Sequence, residues 1–307
     1  MLYVSTRNFN DSYTAHRALH EERTPNGGFY VPMRLPFFSQ DALSALKAQS
    51  CSETIAQVLN LFFSLHINAW DVECAIGRDF FRLQSVNQKI IFAELWRNPE
   101  GNFSYLLNSL YALLLDKNHP IELPVGWPRI ATEIAVLFGL FSAMDYDSVQ
   151  GFDIAATVDD MSTMTAVLFA KNMGLPVNLT ICACNEDSIV WDLTSKGEFS
   201  TRNEQPVYLE CFIYSMFGQE AVLDYLDASS KKTSYSIGEE RTEDITNSLY
   251  AAVVSDSRID TIVSGVYSTS QCLIDSRTAL TFGSLQDYRS QTGINADTVI
   301  LAKQRAK

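Results

Sequence analysis

Two adjacent carboxylates, Asp159 and Asp160, stand in the stretch Thr157-Val158-Asp159-Asp160-Met161-Ser162. Carboxylate oxygens are ligands for hard cations, but aspartates at a helix start also cap free N–H groups and suit the helix dipole. Capping is the more economical reading, because two neighbouring acids alone do not make a metal site. His16 and His20 lie four apart and share a face if their segment is helical. A zinc site would need further ligands that the sequence does not place, so they read as a solvated face beside Glu21, Glu22 and Arg23. Cys182 and Cys184 sit two apart in an apolar run and face one side of a strand. With no histidine near them, they read as buried thiols in a reduced setting. The other cysteines, Cys51, Cys74, Cys211 and Cys272, complete no Cys-x-x-Cys pair and no compact disulfide framework. Ser104 lacks what a nucleophilic serine needs. The nearest histidine in sequence, His119, lies beyond the helix that Ser104 begins, and no Gly-x-Ser-x-Gly elbow occurs.

The elements that must position these residues follow from periodicity and breakers. Thr24-Pro25-Asn26-Gly27-Gly28 is a strong turn signal. Apolar residues at helical spacing predict helices over 41–47 and 52–65, with Ser39 and Ser52 as N-caps. A strand over 89–95 leads into a helix over 103–115, and a further helix runs over 129–144. Strand and helix then alternate: strand 152–156, helix 162–173 closed by Gly174, strand 177–184, helix 186–196 closed by Gly197. Helices over 243–254 and 277–289 and a strand over 298–301 complete the pattern, and the polar stretch 227–240 reads as a loop. Such alternation predicts an α/β fold, a mostly parallel sheet with helices on both faces, preceded by a mostly helical N-terminal region over 1–85.

Composition narrows the partners. The chain has 307 residues, 47% hydrophobic and 19% charged, enough for a large core, and a net charge of −13. That charge disfavours nucleic acid and anionic membrane surfaces, since no cationic field draws phosphates in. The longest apolar run, near 134–144, falls short of the roughly 20 residues that span a bilayer. The first residues carry no apolar leader core, and a cytoplasmic location is expected.

Residues 90–105 read Ile-Ile-Phe-Ala-Glu-Leu-Trp-Arg-Asn-Pro-Glu-Gly-Asn-Phe-Ser-Tyr. This segment resembles the catalytic segment of the threonine synthases, where a strand ending in Glu-Leu-Phe-His-Gly-Pro-Thr leads into Phe-Lys-Asp at a helix start. That lysine forms the Schiff base to pyridoxal phosphate. Glu94, Leu95, Pro99 and Phe103 keep the frame, and Ser104 stands at the lysine position. A hydroxyl cannot form an imine, so the electron-sink chemistry loses its anchor. Further pieces resemble the family in the same order. Tyr3, Ser5, Thr6 and Arg7 are similar to its opening Tyr-x-Ser-Thr-Arg, and 26–32 to its Asp-Gly-Gly-Leu-Tyr-Val-Pro. Residues 125–130, 170–176, 184–187 and 275–279 each resemble a family motif.

The departures fall on chemistry. Where the family has Thr-Gly-Asn-Phe-Gly-Asp cradling the cofactor phosphate at a helix N-terminus, this chain has Thr157 to Ser162 with both glycines replaced and two carboxylates introduced. At about 4 Å and an effective dielectric near 20, each pair of like charges costs on the order of 4 kcal/mol. The family's mobile subdomain, with its substrate loop, is reduced to a short link near 116–124. A cation, Lys303, replaces the hydroxyl that faces the cofactor ring, and the chain ends at Lys307. Lys89 and Lys171 do not stand at the helix start that aims at the cofactor. The resemblance therefore implies a core over 86–307 like the large domain of fold type II pyridoxal-phosphate enzymes, with no cofactor expected and no catalytic residue. It implies a non-catalytic binding or regulatory relative whose partner is a full-length homologue or the chain itself. The alternative is a binder of an amino-acid-like small molecule, lined by Thr157, Ser162 and Asn185. Residual pyridoxal-phosphate chemistry ranks third.

Overall fold

The computed structural model describes residues 1–145 and 151–306. The chain opens with two strands, β1 (Leu2–Ser5) and β2 (Asn8–Thr14), then α1 (Ala15–His20) and β3 (Tyr30–Pro32). β1 pairs antiparallel with both β2 and β3. This small sheet was not anticipated, because its strands are short and its register is closed by residues 25 to 29 apart. Three helices follow: α2 (Gln40–Leu46), α3 (Cys51–Phe63) and α4 (Ala69–Ile76). Ser39 caps α2 as expected, whereas α3 is capped by Ser50, not Ser52, through a reciprocal bond pair with Glu53.

β4 (Arg82–Asn87) and β5 (Ile90–Glu94) lead into α5 (Phe103–Leu114), and α6 (Trp127–Ala143) follows after a short link. Then come β6 (Phe152–Thr157), α7 (Ser162–Asn172), β7 (Val177–Cys184), α8 (Ile189–Lys196), β8 (Glu198–Ser200) and α9 (Leu209–Lys231), which is kinked at Gly218. The chain closes with β9 (Ser234–Ser236), α10 (Glu239–Ser248), β10 (Leu249–Val253), α11 (Ile259–Ser270), α12 (Ser276–Thr292) and β11 (Thr298–Ala302).

The main sheet has the order β10-β7-β6-β11-β5-β4, parallel throughout except for β4. Its register aligns Phe92, Ile300, Ala155, Ile181 and Tyr250 in one row across five strands. That row packs against Leu285 and Tyr288 of α12 and Ile262 and Val266 of α11. Alternate residues such as Ile154, Cys182, Val299 and Leu301 face the opposite core, with α3, α5, α6 and α7. Side chains alternate across a strand, so one parallel sheet needs cover on both faces. α6 is the central helix of the larger core and is buried almost all round. At its start, the ring of Trp127 meets those of Tyr3, Phe62 and Phe169 at 5.3–6.0 Å. The N-terminal region and the sheet thus share one core.

Two further expectations need correction. Residues 249–253, read as the end of a helix, form the edge strand β10, and the helix stops at Ser248. The run Leu-Tyr-Ala-Ala-Val is continuously apolar, a pattern that fits a buried parallel strand as well as a helix. Residues 227–240, read as a loop, are the end of α9, strand β9 and the start of α10. Tyr235 in β9 is buried against Phe199 and Tyr225 and donates its hydroxyl to the Ala221 carbonyl at 3.2 Å. With the buried Ile237, whose N–H donates to the Gly197 carbonyl at 3.0 Å, it anchors an otherwise polar stretch.

Candidate functional site

β5, β6 and β11 run parallel, so the segments leaving them meet at one end of the sheet, where open α/β sheets bind ligands. A cleft of about 250 Å³ lies there, lined by segments around Ser104, Thr157, Asp159, Arg277 and Lys303. The β6–α7 turn forms one wall and is firmly held. The Val158 N–H donates to the Ala183 carbonyl at 3.1 Å, and the Tyr208 N–H to the Asp160 carbonyl at 3.1 Å. The Asp160 carboxylate accepts from the Ser162 N–H, the first of α7, at 2.9 Å; the N-cap position itself is Met161, which makes no side-chain cap bond, so the aspartate expected to cap stands one residue outside the helix start. Met161 closes the turn at φ +68°, a left-handed conformation that costs a non-glycine residue about 1 kcal/mol. Its burial among the core residues compensates.

The start of α5 forms the facing wall. Asn102 caps it by accepting from the Tyr105 N–H at 2.9 Å, and Ser104 is an exposed residue of the first turn. The Phe103 N–H donates to the Lys303 carbonyl at 2.8 Å, and Asn102 bridges to Gln304. The segment after β11 is therefore stitched to this helix start. Asp275 caps α12 and places Arg277 at the cleft mouth.

The charges in the cleft are already paired. Arg277 Nη1 donates to Asp159 Oδ1 at 2.6 Å, Lys303 Nζ lies 3.7 Å from Asp159 Oδ2, and Thr157 Oγ1 donates to that oxygen at 3.3 Å. Lys303 Nζ also donates to Thr163 Oγ1 at 2.7 Å. The Thr163 hydroxyl passes the chain of bonds inward to Glu133 Oε2 at 2.7 Å. Glu133, buried in α6, accepts also from Ser162 Oγ at 2.8 Å and from Arg129 Nε at 2.6 Å. Burial works against the charge on Arg129, but Glu133 and Asp160 outweigh it and lift its pKa above the ordinary value. A second cleft of about 290 Å³ lies on the other side of Asp159, lined by Val158, Met161, Asn185 and Gln205 among others.

Comparison with known proteins gives these features a frame. The family described as Threonine synthase N terminus matches residues 2–80. A mouse (Mus musculus) protein, Threonine synthase-like 1, is 22% identical over 138 residues, which is 45% of this chain but 17% of the mouse protein. Among solved structures, the PLP-bound threonine synthase of Brucella melitensis superimposes with a TM-score of 0.83 at 18% identity, covering 99% of this chain and 89% of that one. Yeast threonine synthase gives 0.80 at 12% identity, covering 99% and 87%. The Escherichia coli threonine synthase gives 0.70 at 14%, covering 99% and 88%. This chain has the threonine synthase fold.

Within the threonine synthase fold, the stretches recognised in the sequence divide by role. The opening motif is structural. Thr6 donates to Glu210 of α9, and Arg7 donates to the same carboxylate through Nε at 3.1 Å and Nη2 at 2.7 Å. Gly28 packs so closely under this motif that a Cβ would lie 2.3 Å from Ser5 Oγ. Of the residues expected to line a ligand, Thr157 lines the first cleft and Asn185 the second. Ser162 lines neither; it is buried and committed to Glu133. Val158 and Met161 turn towards the second cleft, and Asp159 stands between the two.

The lysines are sorted by geometry. Lys89, at the start of β5, pairs with Asp297 at 2.9 Å, at the far end of a strand that spans about 17 Å. Lys171 donates to the Asn178 carbonyl at 2.8 Å at the end of α7, and burial lowers its pKa. Lys303 is the lysine that lines the cleft. Lys307 lies outside the described residues. The sequence places Lys303 where the family has its ring-facing hydroxyl and holds Arg277 and Arg129 only within longer motifs; a cation just after a strand or at a helix start is the available signal, but its partner is not legible there. Cys182 and Cys184 are buried, and burial pushes both thiols up, Cys184 to about 11. His16 and His20 stack their rings at 4.1 Å on an exposed face instead of converging. Among the described residues no group of acids, histidines and cysteines is arranged to hold a metal ion. No described helix is long and apolar enough to cross a membrane.

Proposed function

We propose that this chain is a threonine synthase-like protein that binds or regulates and does not carry out pyridoxal-phosphate chemistry. The observation that carries this reading is the state of the cleft amine. Ser104 occupies the exposed first turn of α5, and the lysine beside it, Lys303, is paired with Asp159 and bonded to Thr163. An ammonium held by a carboxylate is not a nucleophile, and imine formation needs the free amine. The donor set does not suit a phosphate dianion either. Asp159 and Asp160 bring two negative charges to the turn, and Asp159 already holds the two cations that would answer a phosphate. Borohydride added to the chain after incubation with pyridoxal phosphate should leave no covalent adduct by mass spectrometry. An adduct on any lysine, Lys303 above all, would reverse the reading.

The retained core and N-terminal motif favour a protein partner, either a full-length homologue or a second copy of this chain. Size-exclusion chromatography with light scattering, alone and with such a homologue, tests this; two independent monomers would count against it. A second reading is a small amino-acid-like ligand. It is favoured by the hydroxyls of Ser104, Thr157 and Thr278 and by the Gln304 amide around the first cleft. A ligand that binds the native state raises its melting temperature, so a thermal-shift screen of amino acids with no response would remove it.

A further inference from the structure

Arg277 and Lys303 approach the cleft from two elements, the start of α12 and the segment after β11, and converge on one carboxylate. Among the described residues, Asp159 is the one acid within ion-pair distance of either cation. Thr157 adds a hydroxyl donor to the same group at 3.3 Å. An ordinary exposed ion pair would carry little meaning. This one differs because the Lys303 side chain is only 15% exposed. Its ammonium has lost most of its water, and Thr163 offers it a dipole but no counter-charge. Beside the carboxylate lies open space of about 250 Å³, so its position borders a ligand-sized cleft.

We infer that the Asp159 carboxylate is a built-in counter-anion that fills an oxyanion subsite formed by Arg277, Lys303 and Thr157. The native cleft therefore refuses phosphate and sulfate groups, and removal of this single carboxylate opens a site for them. Two cations and a hydroxyl directed at one point are the donor set a tetrahedral oxyanion takes. While Asp159 stands there, an incoming anion must displace it and face its charge. The inference rests on the reading that the native cleft does not retain pyridoxal phosphate.

The test uses the whole chain, unmodified and as Asp159→Ser and Asp159→Asn, titrated with inorganic phosphate at constant ionic strength in chloride. Calorimetry should show at least tenfold tighter phosphate binding in both variants than in the unmodified chain. Phosphate should also raise the melting temperature of the variants, with no such rise in the unmodified chain. Adding Arg277→Gln to Asp159→Ser should abolish the gain. Equal phosphate binding by all three chains, or a gain that survives Arg277→Gln, would overturn the inference. Asp159→Asn keeps the side chain's size and carries the test if Asp159→Ser does not fold. A borohydride-trapped pyridoxal phosphate adduct on the unmodified chain strikes the underlying reading instead, so the two failures are told apart.

Discussion

Glu210 and Asp159 have almost the same company and opposite situations. Each carboxylate is met by two cations and one threonine hydroxyl: Arg7, Arg23 and Thr6 for Glu210, and Arg277, Lys303 and Thr157 for Asp159. The Glu210 side chain is 7% exposed and that of Asp159 is 36%. Glu210, at the start of α9, is covered by the N-terminal segment, and the Arg23 guanidinium carbon lies 3.3 Å from the centre of the Phe29 ring. No ligand can reach it, so its network fastens the N-terminal sheet to the core. Asp159 looks onto open space, and its network can be exchanged for a ligand's. The same donor set is a rivet where solvent is excluded and a site where it is not. The difference lies in the carboxylates: Glu210 is shut off from water and Asp159 is not, although Lys303 beside Asp159 is largely covered.

Four substitutions grade this contrast. The largest loss is expected at Glu133→Ala, about 4 kcal/mol in urea unfolding, because Arg129, Ser162 and Thr163 lose their shared acceptor in the interior. A loss below about 1 kcal/mol would mean that this network is not a coupled unit. Glu210→Ala should cost about 3 kcal/mol, less because Arg7 and Arg23 keep about a third of their exposure. Were Asp159→Ala to cost as much, the contrast would collapse; it should cost about 1–2 kcal/mol, because Arg277 recovers water while the largely covered Lys303 loses its counter-charge.

Between these stands Asp153, a buried carboxylate that bonds the Leu179 N–H at 3.2 Å through one oxygen and meets no donor with the other. Burial pushes it up from 3.8 to about 6, so the folded chain holds this proton more tightly than the unfolded chain does. As pH rises through 3.8 towards 6 the unfolded chain releases its proton first, and stability falls. The loss should reach about 2–3 kcal/mol above that window. Asp153→Asn keeps an acceptor for Leu179 and removes the titration. Its unfolding free energy should lack this decline between pH 4 and pH 6.5, and an unchanged profile would assign the pH dependence to other groups.

Legibility followed the range of the forces involved. The alternation of strand and helix from residue 152 to 196 was readable because periodicity and terminal glycines are local. β7 fell on the expected residues, and β6 and α7 were within one or two of them. β10 was not readable, since an apolar run looks the same in a strand as in a helix until β7 stands beside it. The N-terminal sheet failed for a similar reason: β1 and β3 pair residues 25 to 29 positions apart. In the cleft, the residues of the β6–α7 turn were named from sequence, with Asp159 among them. Its cation was not, because Arg277 comes 118 positions later. Ser162 was taken for a ligand contact because nothing local announces that Glu133, on another helix, would claim it.

The order of side chains along the chain settled the layered α/β architecture, the absence of an amine at the start of α5 and the entry of two acids into the β6–α7 turn. These are matters of covalent sequence and of patterns shorter than one helix. Folding in three dimensions decided which acid bonds the backbone and which pairs with cations, placing Asp160 on the Ser162 N–H and Asp159 between Arg277 and Lys303. Two adjacent aspartates are alike in sequence. They part only when the strand ends bring distant cations within reach of one of them, because Coulomb attraction depends on distance in space and not along the chain.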